Sequence, residues 1–431
     1  VTLIDLGDVR DEPVPDPRER PPRAVGRPTR IVAVLAVALL SLAGAAPPNQ
    51  PAFFTVPAAP TTTAFVHGDR LFLIAPAEQS ADRAGTLTAY AVPTRGRGPL
   101  SPLWWASLPF GGGSAADVVG DVLVVTADVP RDGAGRSYAF DVATGRPRWD
   151  LPGSLAGTGD PLLLYTRGGQ GPAAVSGVDP ATGRVRWSVP TPLESTTFRF
   201  GPDGLDGLDR IVLSPSTGPA EVWDARSGQR LVSRDLRSGE LSVRQRAQPV
   251  GDLLLTVRHH AELVTAYGLA ELDRRWEIRL GLVAYFEPCG GLICAVGRTG
   301  GITALDPATG ETRWRATHWF GVLTERGGRV LVSRRGTGLQ EPFAILDAAT
   351  GRLVAELGSW DLIGWDRLDG RLTAVRPAGT GRLVFGELDV AGGRVHRLDM
   401  LTGVSGNCQA GRKVLLCRML TGEYGVWRLA D

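Results

Sequence analysis

One short unit recurs three times along this chain: YAFDVATGRPRW at 138–149, SGVDPATGRVRW at 176–187 and TALDPATGETRW at 303–314. Each copy sets Asp, Gly and Trp at i, i+4 and i+8. These are Asp141, Gly145 and Trp149; Asp179, Gly183 and Trp187; Asp306, Gly310 and Trp314. A fixed repeat constrains the fold more than any other sequence feature. β-favouring residues before the Asp suit a strand. The Asp carboxylate can accept hydrogen bonds from the next backbone N–H groups, as in an Asx-turn. The Gly supplies a positive φ without a Cβ clash, which a tight hairpin needs. The chain then returns to a Trp, whose large face calls for burial against the next unit.

Weaker copies keep part of the pattern. Asp224 and Gly228, Asp347 and Gly351, and Asp389 and Gly393 lack the Trp, and one unit keeps only Trp276. The Asp-equivalent positions fall at 141, 179, 224, 268, 306, 347 and 389, a step of 38 to 45 residues. That period fits a four-stranded propeller blade, and the region lacks the 3.6-residue periodicity of a helical repeat. The fold class expected is all-β, a β-propeller of four-stranded blades.

Strands ending in Asp-x-Ala-Thr-Gly and followed by a Trp-bearing strand resemble the repeat of the PQQ-binding-like (quinoprotein alcohol dehydrogenase-like) β-propellers, over about residues 64–431. The superfamily includes quinoprotein dehydrogenases and a non-catalytic barrel-assembly lipoprotein of bacterial outer membranes. The resemblance implies the fold and, at its commonest count, eight blades. Nine apolar inner strands are found, at 71–74, 122–126, 161–165, 211–213, 253–257, 292–296, 330–333, 372–375 and 414–417, against eight of the Trp-bearing type. Seven or nine blades therefore stay open. The chain ends in GVWRLAD, inside a blade, so the missing outer strand is expected from the segment near Pro51–Pro57, which would latch the ring.

The chain divides into four parts. Residues 1–30 are polar and Pro/Arg-rich and read as a disordered cytoplasmic tail. Residues 31–46, IVAVLAVALLSLAGAA, form an uncharged apolar run. Sixteen helical residues span about 24 Å against a hydrocarbon core of about 30 Å. The run reads as a signal anchor or as a cleaved export signal, which would leave the protein secreted. Five Arg and one Glu precede it within 18–30, and 47–66 carries no charge, so the N-terminus is expected in the cytoplasm and the propeller outside. Residues 47–63 read as a Pro/Thr/Ala-rich tether, and 64–431 as the propeller. A net charge of +2 gives no basic excess for nucleic acid.

Cys289 and Cys294 form one local pair, Cys408 and Cys417 another. In each, the first Cys precedes a turn and the second lies on the next apolar strand, within cross-strand reach. Export favours two disulfides over free thiols, and the spacing is unlike a zinc knuckle. Asp203, Asp206 and Asp209 lack the ligand spacing and closing Glu of a calcium loop and read as a solvated loop. His259 and His260 would point to opposite faces of a strand and read as structural or exposed. Trp104–Trp105 reads as core plus an interface edge.

No nucleophile elbow, HExxH or phosphate loop is present. The quinoprotein dehydrogenases that the chain resembles carry a vicinal Cys-Cys pair, an acidic calcium site and a catalytic Asp; the chain has no Cys-Cys dipeptide and no residue matched to those roles. The function expected is therefore a membrane-anchored extracytoplasmic binding scaffold or accessory protein of the cell envelope. It would need no cofactor and would meet unknown envelope proteins through its face or rim. The excursions Pro76–Gly85, Pro93–Pro102 and Phe198–Asp209 are the candidate contact loops. Two alternatives remain: a divergent PQQ- and calcium-dependent oxidoreductase, and an extracytoplasmic sensor.

Overall fold

The structure, a computed structural model, describes Val32 and residues 52–76, 84–109, 115–128, 135–167, 173–192, 196–200, 207–215, 218–236, 245–258, 262–335, 341–365, 372–411 and 413–429. The expected tail 1–30 and all of the apolar run but Val32 lie outside the described residues. Among the described residues no helix is long and apolar enough to cross a membrane.

Continuous hydrogen bonding joins the strands into eight sheets. Six are plain four-stranded antiparallel meanders, at 63–108, 115–152, 154–190, 196–234, 245–279 and 283–316. We number these blades 1 to 6. The seventh sheet has seven strands, because the strand Leu353–Trp365 serves twice. Its first part pairs backwards, ending at Glu341 opposite Trp360; its second pairs forwards, starting at Asp361 opposite Val375. Blades 7 and 8 meet there. Blade 9 comprises Val404–Ala410, Val414–Met419 and Tyr424–Arg428, closed by Phe53–Val56. Among the described residues there are eight sheets and nine four-stranded units, so the blade count is the nine left open above and not the eight expected. Each of the nine apolar runs is a blade's second strand.

The latch is antiparallel, with Phe53 opposite Trp427 and Val56 opposite Tyr424. Its other edge pairs in parallel with Arg97–Pro99. The segment read as a tether therefore contributes a strand to the ring. Behind the latch, Arg418 donates to the carbonyls of Ala58, Ala59, Pro60 and Thr62 and stacks on Tyr424. A guanidinium that is only 8% exposed is thus satisfied by backbone, and it fixes the path from latch to blade 1.

The core lies between blades. Among the described residues nine apolar clusters occupy the nine junctions. Phe72, Leu87 and Trp104 of blade 1 meet Leu123 and Phe140 of blade 2. Val414 and Leu416 of blade 9 meet Leu71 and Leu73 of blade 1, which closes the ring. Antiparallel meanders give the ring two faces. One carries the first-to-second and third-to-fourth strand turns of each blade; we call it the turn face. The other carries the second-to-third loops and the connections between blades; we call it the loop face.

Candidate functional site

The recurring Asp, Gly and Trp all lie on the turn face. In blade 2 the Asp141 N–H donates to Arg146 O at 2.9 Å, and the Gly145 N–H donates to Asp141 O at 2.8 Å. Asp141 Oδ1 accepts from the backbone N–H groups of Ala143 and Thr144 and from the Thr144 hydroxyl, at 3.1, 2.9 and 2.8 Å. Asp179 and Asp306 cap their turns in the same way. The other carboxylate oxygen takes an Arg seven residues on: Arg148, Arg186 or Arg313. Arg148 also reaches Asp121, and Arg186 reaches Asp160, so each ties both turns of its blade together. These arginines hold the carboxyls of Asp141 and Asp179 down to about 2, with help from Thr144 and Thr182. Asp306 is lowered likewise, chiefly by Arg313.

The Gly is required twice over. Gly310 has φ of 76°, and a Cβ there would lie 2.7 Å from the ring of Trp276. Each Trp lies over the Gly of the following blade and donates its indole N–H to that turn's backbone. Trp104 faces Gly145 and bonds Val142 O; Trp149 faces Gly183 and bonds Pro180 O; Trp187 faces Gly228 and bonds Arg226 O. Trp276 with Gly310 and Trp314 with Gly351 repeat this, bonding Pro307 O and Ala348 O. The apolar ring needs burial and the N–H needs an acceptor, and one docking position meets both needs. Sequence reading found the Asp, Gly and Trp but missed the bridging arginines, although their position one before the Trp is visible in every strong copy.

Both cysteine pairs are disulfides, Cys289–Cys294 and Cys408–Cys417. Each staples the first two strands of its blade. Of the Trp104–Trp105 pair, Trp104 is buried and Trp105 is 71% exposed. Pro93–Pro102 is no open loop, since it carries the strand that flanks the latch. In Phe198–Asp209, Asp209 pairs with Arg199, and residues 201–206, with Asp203 and Asp206, lie outside the described residues. So do His259, His260 and residues 77–83.

A quinone–calcium centre needs converging acidic ligands. Here the repeat carboxylates are held one per turn, and the cysteines sit in separate blades. Among the described residues no group of three His, Cys, Asp or Glu could hold a metal ion. The described residues do not fit that centre.

On the loop face a cavity of about 550 Å³ opens between blades 6 and 7. Tyr285, Val322 and Ser333 line its inner part, and Arg298, Arg334, Arg335 and Glu341 its mouth. Arg334 is engaged, stacked on Trp319 and paired with Glu356 at 3.3 Å. Burial pushes the Tyr285 phenol above its ordinary value, leaving it a proton donor.

The family described as PQQ_2, outer membrane protein assembly factor BamB, matches residues 83–281. No curated protein matches the chain. Among solved structures, BamB from Moraxella catarrhalis is 15% identical over 86% of this chain and 94% of its own, with a TM-score of 0.39. The computationally designed Ika8 protein is 14% identical over 74% and 96%, with a TM-score of 0.47. The C-terminal WD40 domain of Sif2 is 10% identical over 89% and 96%, with a TM-score of 0.41. The recurring Asp/Gly/Trp turn and the ring of four-stranded blades are those of a β-propeller, and over residues 83–281 the chain is similar to the PQQ-like repeat family.

Proposed function

We propose that the chain is a membrane-anchored, extracytoplasmic propeller that acts as a non-catalytic binding scaffold of the cell envelope, with its partners docking on the loop face. The observation that carries this reading is the use of the repeat's polar groups. On the turn face the Asp carboxylates, the bridging arginines and the Trp indoles bond one another and the backbone. A surface that is already satisfied offers little to a partner, since binding must replace those bonds. The loop face carries the connections that can vary without breaking the ring. The family match to an outer membrane assembly factor supports an envelope role, and the Arg-rich segment before the apolar run supports outward export.

The test has two arms. Removing residues 31–46 should release the protein from the membrane fraction. Photo-crosslinkers at Thr299 and Thr380, on loop-face turns, should give discrete envelope adducts, while those at Ser227 and Thr309, on the turn face, should not. Adducts from the turn face alone would overturn the docking assignment. Stoichiometric PQQ and calcium uptake with substrate turnover would overturn the scaffold reading itself.

A further inference from the structure

The cavity between blades 6 and 7 has features that the ring does not need. Ser333 is only 6% exposed, and among the described residues its hydroxyl has no protein partner. That hydroxyl borders the open space of the cavity and is free to bond whatever fills it. Gly321 keeps it uncovered: a Cβ at that position would lie 2.7 Å from Ser333 Oγ and 3.4 Å from the Tyr285 hydroxyl. Gly321 adopts no positive φ, so turn geometry does not explain it. The Tyr285 hydroxyl accepts from the Val322 N–H at 3.3 Å, which leaves its own proton to donate.

The mouth has charges to spare. Arg335 stacks on Phe320, 5.2 Å from the ring centroid, and among the described residues it has no carboxylate partner. Among the described residues Arg298 has none either, and Glu341 has no paired cation. Arg334 is neutralised by Glu356. Burial raises the pKa of Glu287, the other carboxyl that acts on Tyr285, and so favours its neutral form; the unpaired groups of the cavity lining leave one positive charge in excess, which matches a ligand of one negative charge. Glu341 repels a second one. Two planar guanidinium forks suit a planar carboxylate.

We propose that this cavity binds a singly charged organic carboxylate, its headgroup between Arg298 and Arg335 above the Ser333 and Tyr285 hydroxyls, and its apolar body against Phe320 and Val322. The volume is that of a small-molecule site. The carboxylate can belong to a free small acid or to the C-terminus of a peptide, because both present the same planar anion. The site does not depend on the scaffold reading and stands or falls separately from it.

Calorimetry on the full chain in mild detergent at low ionic strength tests it, with benzoate as the small-acid probe and the tripeptide Ala-Ala-Phe, as free acid and as amide, for the peptide source. Saturable one-site binding of benzoate or of the free-acid peptide is expected. Binding of the peptide acid and not its amide assigns a chain terminus; binding of benzoate alone assigns a small acid. Arg298→Gln and Arg335→Gln should each weaken the binding roughly tenfold. Gly321→Ala, which changes no charge, should weaken it as well by covering Ser333. Three results would overturn the proposal: no saturable binding of either probe, binding unchanged in the Arg298→Gln/Arg335→Gln double variant, or inorganic phosphate bound more tightly than both probes.

Discussion

Two neighbouring junctions of the ring solve one packing problem in opposite ways. Between blades 3 and 4, Trp187 reaches across and lies over Gly228. Between blades 4 and 5, the outer strand offers Val232 at the Trp position, and the facing turn offers Leu272 at the Gly position. The backbone frame is the same. The Leu272 N–H donates to Gly268 O at 2.8 Å, as the Gly145 N–H does to Asp141 O. Leu272 even keeps the left-handed backbone of the glycine it replaces, with φ of 53°. Its side chain is fully buried, in one cluster with Val232. The bulk has moved from one blade to the other, and the volume between them is still filled. The carboxylate has moved too. Gly268 stands where the other turns have Asp, and a Cβ there would lie 2.5 Å from Asp273 Oδ1. A propeller junction therefore specifies a total volume and a turn backbone, rather than a particular residue on either side.

The sharpest way to break this comparison is to impose one solution on the other's junction. Trp314→Ala at the junction of blades 6 and 7 should cost about 3–5 kcal/mol, read as a fall in the urea midpoint. Gly351→Leu alone should also destabilise strongly, because a Cβ would lie 2.5 Å from the Trp314 ring. The Trp314→Val/Gly351→Leu pair copies the junction of blades 4 and 5. It should lose less than the sum of its singles, with a coupling of about 1–3 kcal/mol. Strict additivity would show that volume is not the shared quantity.

The reverse exchange has a smaller expected effect. Leu272→Gly relieves about 1–2 kcal/mol of left-handed backbone cost but forfeits about 2–5 kcal/mol of buried leucine, so it should destabilise. Adding Val232→Trp should recover part of that loss by restoring the docking geometry of the other junctions. A double variant no better than Leu272→Gly alone would mean that the two blades are set at a different separation there.

Much of this fold was legible because strand and turn chemistry is local. The Asp-to-Gly spacing predicts the turn, and the Trp's size predicts burial against a neighbour; both are found. The latch was foreseeable because the final strand lacked a partner. Nine second strands were visible as apolar runs, but the boundary between blades 7 and 8 was hidden inside Leu353–Trp365, where the strand runs on through Gly358 without a loop. The Leu272 turn was opaque, since Gly at the first position and Leu at the fifth erase both markers. The cavity had no signature either. Tyr285, Gly321, Ser333 and Arg335 come from strand ends of two blades, and only the ring brings them together.

The disulfides extend the comparison with a smaller difference. Cys289–Cys294 belongs to the junction of blades 6 and 7, which Trp314 already secures. Cys417 belongs to the junction of blades 8 and 9, which has no Trp over a Gly. Loop entropy alone assigns about 2 kcal/mol to the shorter bridge and about 2.5 kcal/mol to the longer. Replacing Cys408 and Cys417 by Ala should therefore lower Tm somewhat more than replacing Cys289 and Cys294. The opposite order would place the weaker junction elsewhere in the ring.

The smallest expected effect is that of pH on the capped turns. Arg148 and Arg186 hold the carboxyls of Asp141 and Asp179 down to about 2, against about 3.9 in an unfolded chain. Between those values the unfolded chain binds more protons, so acid favours unfolding there. The stabilisation is complete above about pH 4–5 and is lost as pH falls through about 2. Both carboxyls keep part of their surface in water, so the effect is modest and screened by salt. Asp141→Asn/Asp179→Asn keeps an acceptor for the Thr144 and Thr182 N–H groups and removes only the charge that faces the arginines. Its Tm should lie below that of the unaltered chain at pH 7, and the gap should close towards pH 2. A gap that stays constant over that range would mean that the carboxylates act as neutral turn caps, and that the Arg bridges add nothing to the turn that Gly268 and Leu272 achieve without them.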